Sequence, residues 1–168
     1  EAVHFTCEAL GMLVDGTMRP DDFEMVLGTH LETHHDEESK PAAVLTKVGD
    51  SLPGLGIVAA VLGIVITMQA VNGKPEEIGH KVASALIGTF LGIFFSYGYV
   101  QPLATNLELQ VAARGRFLLC IKNCLVAFAR GAPPLVAVEV ARHVIWNDDR
   151  PDGEALSEAC RNAGSRAA

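Results

Sequence analysis

The side chains able to do chemistry are few and scattered. Thr89 shares a helical face with Ala85, Gly92 and Ser96, which sets two hydroxyls on a narrow surface of otherwise small residues. Such a surface can line a path for water or an ion; the ordinary alternative is a threonine bonded back to a carbonyl of its own helix. His30, His34 and His35 stand beside Asp36 and Glu37, with His30 and His34 one helical turn apart. That spacing suits a metal pair, but a solvated acidic face is the stronger reading, since zinc sites gather tighter Cys/His sets. Cys120 and Cys124 also share a helix face and read as buried, unreactive thiols. No nucleophile with a base and no phosphate-binding glycine loop is present, so no catalytic residue, metal or cofactor is assigned and an enzyme is not expected.

Two long uncharged runs must position Thr89 and Ser96. Ser51 to Gly73 and Val82 to Leu107, 23 and 26 residues, contain no Asp, Glu, Lys or Arg. Each exceeds the roughly 20 residues that cross a hydrocarbon core. Neither alternates, and neither has a polar face, so both read as spanning helices. Only Lys74 to Lys81 separates them, which predicts a helical hairpin with a tight turn at Asn72-Gly73-Lys74-Pro75. Lys40, Lys47, Arg114, Arg116 and Lys122 flank the outer ends, against Lys74 and Lys81 in the turn. That excess places both ends of this stretch in the cytoplasm and the turn in the periplasm.

The fold class is therefore all-α: a transmembrane hairpin with long cytoplasmic helix extensions and short cytoplasmic helices. Residues 1–50 read as the end of a cytoplasmic loop carrying short acidic helices, 51–107 as the spans, and 108–168 as cytoplasmic helices and a mobile tail. In the first region, a helix over 2–14 would present Val3, Leu10, Leu13 and Val14. A second short helix would start at Pro20-Asp21-Asp22 and carry Phe23, Val26 and Leu27, with Pro41 opening a connection to the first span. Beyond the second span, Leu107, Val111, Leu118, Ile121, Leu125 and Phe128 recur at helical spacing until Gly131 and Pro133-Pro134. A last helix is expected over about 135–146, and a mobile tail from Asn147.

Small residues recur at helical spacing in both spans: Ala59, Gly63 and Thr67 in the first, Ser84, Gly88, Gly92 and Ser96 in the second. In lipid, such stripes let backbones approach and gain dispersion contacts, and packing is their expected role. Pro53 sits where the first span starts, harmless if it lies in the first helical turn. Pro102 is more awkward, because a helix continuing past it loses a hydrogen bond and kinks. Two such breaks at one membrane depth would form a hinge.

Charge is distributed as unevenly as hydrophobicity. Residues 1–50 hold eleven acids against three bases, whereas 108–168 hold seven against eight. A strongly acidic segment excludes a nucleic-acid footprint and suits a basic protein surface. The four cysteines form no disulfide framework and no CxxC pair, which fits a reducing compartment. The chain has no initiator Met and no signal peptide, and reads as if entered partway through. Neither span contains Asp, Glu, Lys, Arg or His, although ion pathways through membranes normally carry at least one such group. If the spans conduct, the carboxylate must come from elsewhere.

The ordered segments Val48-Gly49-Asp50-Ser51-Leu52-Pro53, Gly56-Ile57-Val58-Ala59-Ala60-Val61, Gly88-Thr89-Phe90-Leu91-Gly92-Ile93, Tyr97-Gly98 and Pro102-Leu103-Ala104-Thr105 closely resemble the MotA/TolQ/ExbB proton-channel family, and within it the flagellar stator branch, MotA. Ala132-Pro133-Pro134, Ala137-Val138-Glu139 and Arg150-Pro151 extend the resemblance from about residue 28 to 154. It implies the last two of four spans, in the bacterial inner membrane, in a homo-oligomeric ring of five around two MotB-like subunits that supply the proton-carrying aspartate. Protons would be the coupling ion, the rotor switch protein FliG the cytoplasmic partner, and motility the output. By the same resemblance, Pro53 and Pro102 match prolines that couple ion passage to movement. Thr89 matches a threonine of the ion path, and Ala60 stands where sodium-driven relatives carry a second threonine. Without a hydroxyl at Ala60 to replace part of a sodium hydration shell, protons are favoured. The alternatives are an ExbB/TolQ-type energiser, whose three-span pattern fits Asp50-Ser51-Leu52-Pro53 and Arg150-Pro151 less well, and a non-conducting membrane scaffold.

Overall fold

The computed structural model describes residues 2–69 and 74–167. The expected turn at Asn72-Gly73 lies outside the described residues; the helix beyond it starts at Pro75, after an extended Lys74. Among the described residues every regular element is helical: α1 (Ala2–Val14), α2 (Pro20–Gln69), α3 (Pro75–Phe95), a π-helical turn (Ser96–Val100), α4 (Gln101–Ala129), α5 (Pro134–Arg142) and α6 (Gly153–Ala167).

The short helix expected from Pro20 and the first span are one helix of 50 residues. It begins as expected with Asp21 and Asp22 in its first turn, where carboxylates complement the positive end of the dipole. Pro41 does not open a connection; the helix runs through it. Pro41 and Glu37 are both exposed, so water can take the place of the missing N–H at the Glu37 carbonyl, and the strong helix formers on either side carry the ladder past the gap.

The chain forms two compact units. The first comprises Glu38–Gln110, the hairpin of spans. Only 11% of the most apolar window of α2 is buried within the chain, and 6% of that between Pro75 and Ala129. A core helix of a water-soluble domain would be mostly covered, so these faces require lipid or neighbouring protein.

The second unit comprises Glu1–Glu37 and Val111–Ala168. Its core gathers Phe5, Ala9, Phe23, Leu27, Leu118 and Val126. Burying Phe23 and Leu27 almost completely contributes about 2 kcal/mol each. The inward face of α1 is Phe5 and Ala9, flanked by Met12 and Leu13, whereas Val3, Leu10 and Val14 are exposed. Val26 and Phe128 are likewise exposed, and Val126 takes the buried position near the end of α4. Arg130 pairs with Asp21 at 3.3 Å and Glu24 at 2.6 Å, exposed contacts that contribute little beside the apolar core.

Gly131, with φ of 87°, terminates α4. Its N–H reaches the Phe128 carbonyl and that of Ala132 reaches Ala127, the paired bonds of a glycine C-cap. Pro134 then starts α5 at the position where its missing N–H costs nothing. α5 ends at Arg142 rather than near 146, buries Ala137 and Ala141, and receives the Cys120 thiol on the Ala141 carbonyl. Arg150 holds the next segment by donating to the carbonyls of His143 and Ile145. Within the expected tail, Gly153–Ala167 forms α6, with Leu156 and Cys160 half-buried one turn apart.

Candidate functional site: the proline breaks of the paired spans

Pro53 lies deep inside α2, not in a first turn. An α-helix joins each N–H to the carbonyl four residues earlier, so Pro53 leaves the carbonyl of Gly49 without its donor. Gly49 is buried, and a buried, unpartnered carbonyl is costly. The second span supplies the replacement: the Ser96 hydroxyl donates to the Gly49 carbonyl at 2.7 Å, with Ser96 fully buried.

Ser96 also opens the π-helical turn that ends at Val100. Its own N–H is shared between the carbonyls of Gly92 and Ile93, and its carbonyl accepts the N–H of Gln101 five residues on. Pro102 follows immediately. The kink expected at Pro102 is thus resolved as a widened turn before it, in which carbonyls spread away from the proline ring and the helix resumes at Gln101. At the same level the Gln101 side-chain amide donates to the Asp50 carboxylate at 3.1 Å, and Gly49 packs against Val100 and Gln101. Both proline breaks are tied to each other across the hairpin.

Below this level the helices touch backbone to backbone. A Cβ on Gly92 would lie 2.6 Å from the Leu52 carbonyl oxygen, and one on Gly56 would lie 2.9 Å from that of Gly88. Gly63 meets Ala85, and a Cβ on Gly88 would meet that of Ala59 at 3.1 Å. Gly63, Gly88 and Gly92 therefore sit at the contact, and Ala59 lies at its exposed edge. Ser84 is exposed within this chain and bonds back to the His80 carbonyl. Gly56 is the packing residue missing from the small-residue stripe, although it stands seven residues before Gly63, two helical turns away on the same face.

Thr89 does not bond back to its own helix. Its hydroxyl crosses to the Gly56 carbonyl at 3.2 Å, a carbonyl that in an α-helix also faces the N–H of Ala60. Thr89 and Ala60 are both half-buried, so the threonine reaches the turn of α2 that carries Ala60. Thr67, fully buried, bonds back to Gly63 at 2.7 Å.

Among the described residues no group of three His, Cys, Asp or Glu is placed to hold a metal ion. His30 instead lies against the Phe5 ring, centroids 5.3 Å apart. Burial pushes the Cys120 and Cys124 thiols above their ordinary range, with Cys124 and Cys160 respectively adding to the effect, which keeps both neutral and weakly reactive.

Residues 3–114 match the model of the MotA/TolQ/ExbB proton channel family. Motility protein A of Salmonella typhimurium is 37% identical over 157 residues, 94% of this chain and 53% of that protein. Chemotaxis protein LafT of Vibrio parahaemolyticus is 36% identical over 149 residues, covering 89% of this chain and 52% of its own length. The chain thus spans about half the length of these relatives. Among solved structures, the flagellar MotAB stator complex of Bacillus subtilis superposes with a TM-score of 0.74 at 25% identity, over 87% of this chain and 57% of that one. The C. jejuni MotAB structure superposes at 0.78 with 21% identity, over 88% and 58%, a likeness of fold. With its paired, uncharged, proline-broken spans and this continuous match, the chain belongs to the MotA/TolQ/ExbB proton channel family.

Proposed function

We propose that this chain forms part of a flagellar stator subunit of the bacterial inner membrane, which passes ions together with a second subunit and converts their flow into torque on the rotor. The observation that carries this reading is the cross-tied pair of proline breaks in two spans that hold no charge of their own. Spans without Asp, Glu, Lys, Arg or His hold no proton-accepting carboxylate of their own, so in this reading a partner supplies it; two similar solved structures are MotAB complexes. Thr89 and Ala60 face that path, Pro53 and Pro102 transmit the change, and the small residues hold the pair together. The exposed faces of both spans meet copies of the same subunit in a ring, with both ends of the hairpin in the cytoplasm, where FliG is the rotor partner.

The energies are commensurate. One charge crossing 100 mV releases about 2.3 kcal/mol. A hydrogen bond such as that between Ser96 and Gly49 contributes on the order of 1 kcal/mol net. A single ion transit therefore suffices to exchange one or two such ties for another packing, with no nucleotide hydrolysis.

Ala60 favours protons over sodium, because its methyl offers no oxygen to a partly dehydrated cation. The test is complementation: the native gene, expressed with its partner in a cell lacking its own stator, restores swimming that follows the proton gradient. Swimming that tracked the sodium gradient instead would refute the ion assignment, and failure to restore any rotation in a well-assembled complex would refute the stator reading.

A further inference from the structure

We infer that Ser96 is a positioning residue for the coupling movement, a latch whose hydroxyl occupies the carbonyl vacated by Pro53 and thereby sets how readily the proline breaks bend. The consequence for coupling rests on the stator reading above; the latch itself is tested without motility.

Ser96 has little freedom to do anything else. It is fully buried, and its hydroxyl donates its single proton to the Gly49 carbonyl oxygen, 2.7 Å away. Ser51, Thr67 and Ser84 satisfy themselves on the carbonyl four residues back. Ser96 forgoes that local bond. Its acceptor is a buried carbonyl of the span interface that lacks its α-helical donor, because the residue four positions later is Pro53.

On its own helix Ser96 is the first residue of the π-helical turn, and its carbonyl holds the wide bond to Gln101, next to Pro102. One residue is thus bonded to both irregularities. Breaking the hydroxyl bond strands a buried carbonyl on α2 and frees the first residue of the turn on the other span. A π turn inside a helix can shift or close at little cost, because adjacent registers exchange one bond for another. Gln101 and Asp50 form the outer tie at this level, exposed and therefore weaker. The inner bond is the one that decides whether the two breaks move together.

The experiment uses the native gene product purified with its partner, carrying S96A, P53A, or both. The first readout is the temperature at which the complex leaves its size-exclusion peak. S96A is expected to lower it by roughly 3–6 °C, the shift that a lost buried hydrogen bond produces in a protein of this size. In P53A the residue-53 amide meets the Gly49 carbonyl, so adding S96A should shift the midpoint by less than a third as much. Equal shifts in the two backgrounds would overturn the latch.

The second readout needs no P53A protein. Hydrogen exchange in S96A should accelerate at least fivefold across residues 94–103 and remain unchanged across 82–92. Acceleration through the whole span would mark Ser96 as ordinary packing and refute a local latch. Wild-type protein that restores swimming while the cycle is additive removes the latch and leaves the stator reading intact. A latch confirmed in a protein that never restores swimming does the reverse.

Discussion

Replacing Gly92 by alanine should separate the two spans, and the structure fixes the scale. The added Cβ would lie 2.6 Å from the Leu52 carbonyl oxygen, 3.1 Å from the Gly56 Cα and 3.3 Å from the Gly56 nitrogen. All three atoms belong to helix backbone, so no side chain can swing away. Ordinary contact begins near 3.4 Å, which leaves the helices about 0.8 Å too close at this point. Moving α2 outward by that amount stretches the nearby Thr89–Gly56 bond, already 3.2 Å, beyond hydrogen-bonding range and weakens the Ser96–Gly49 bond.

Overpacking costs about 1–3 kcal/mol, and each lost hydrogen bond about 1 kcal/mol more. Alanine's better helix propensity returns up to about 1 kcal/mol. A net loss of roughly 1–3 kcal/mol is expected. Two controls calibrate it. G88A meets only the Ala59 methyl closely, at 3.1 Å, and should be milder; G79A, with nothing within 4 Å, should be neutral or slightly stabilising. The assay is stepwise heating of the native complex in detergent, followed by size exclusion, with the midpoints ranked G79A above G88A above G92A. A G92A complex as stable as G79A would show that the close backbone approach is not what holds the hairpin.

Thr89→Ala should lose about 1 kcal/mol or less of stability, because Gly56 keeps its helical donor, and under the proposed ion-path role of Thr89 should abolish rotation; T89S should retain both. Complementation beside thermal measurement checks the pair, and a fully motile T89A would refute the assignment. In the other unit, Arg142 holds the Glu139 carboxyl below its ordinary range, chiefly through their hydrogen bond. A depressed folded-state pKa gives stability that is present above the ordinary carboxylate range and is lost as pH falls through the lowered value. E139Q should therefore flatten the acid limb of the melting profile below about pH 4.5, and an unchanged limb in E139Q would sink the linkage.

Much of this protein is legible in its sequence for a simple reason. Lipid forbids unpaired charge and unpaired backbone, so runs such as Ser51 to Gly73 announce their helices by composition alone. Pro53 and Pro102 announce breaks equally well, since a missing N–H is a covalent fact. Periodicity succeeded less in the other unit. α1 contains apolar residues all round, so spacing could not tell the Phe5 and Ala9 face, which packs, from the Val3, Leu10 and Val14 positions, which do not. Pro41 looked like a stop and was not, because exposure lets water replace what the proline removes. α6 was hidden by its polarity; the half-buried Leu156 and Cys160, one turn apart, hint at an inward stripe.

The sequence by itself determined the hairpin, the absence of charge within it, and the positions where its helices lose a hydrogen bond. What the tertiary structure decided is where those losses are made good. Thr89 and Ser96 carry the same hydroxyl as Thr67 and Ser84, which turn back on their own helices, yet they reach across to Gly56 and Gly49. A hydroxyl's local acceptor is set by its own helix, but a competing acceptor exists only where another helix comes close enough to offer one. At Gly49 that acceptor is open because Pro53 has removed its donor, and the glycines let the two backbones close on it.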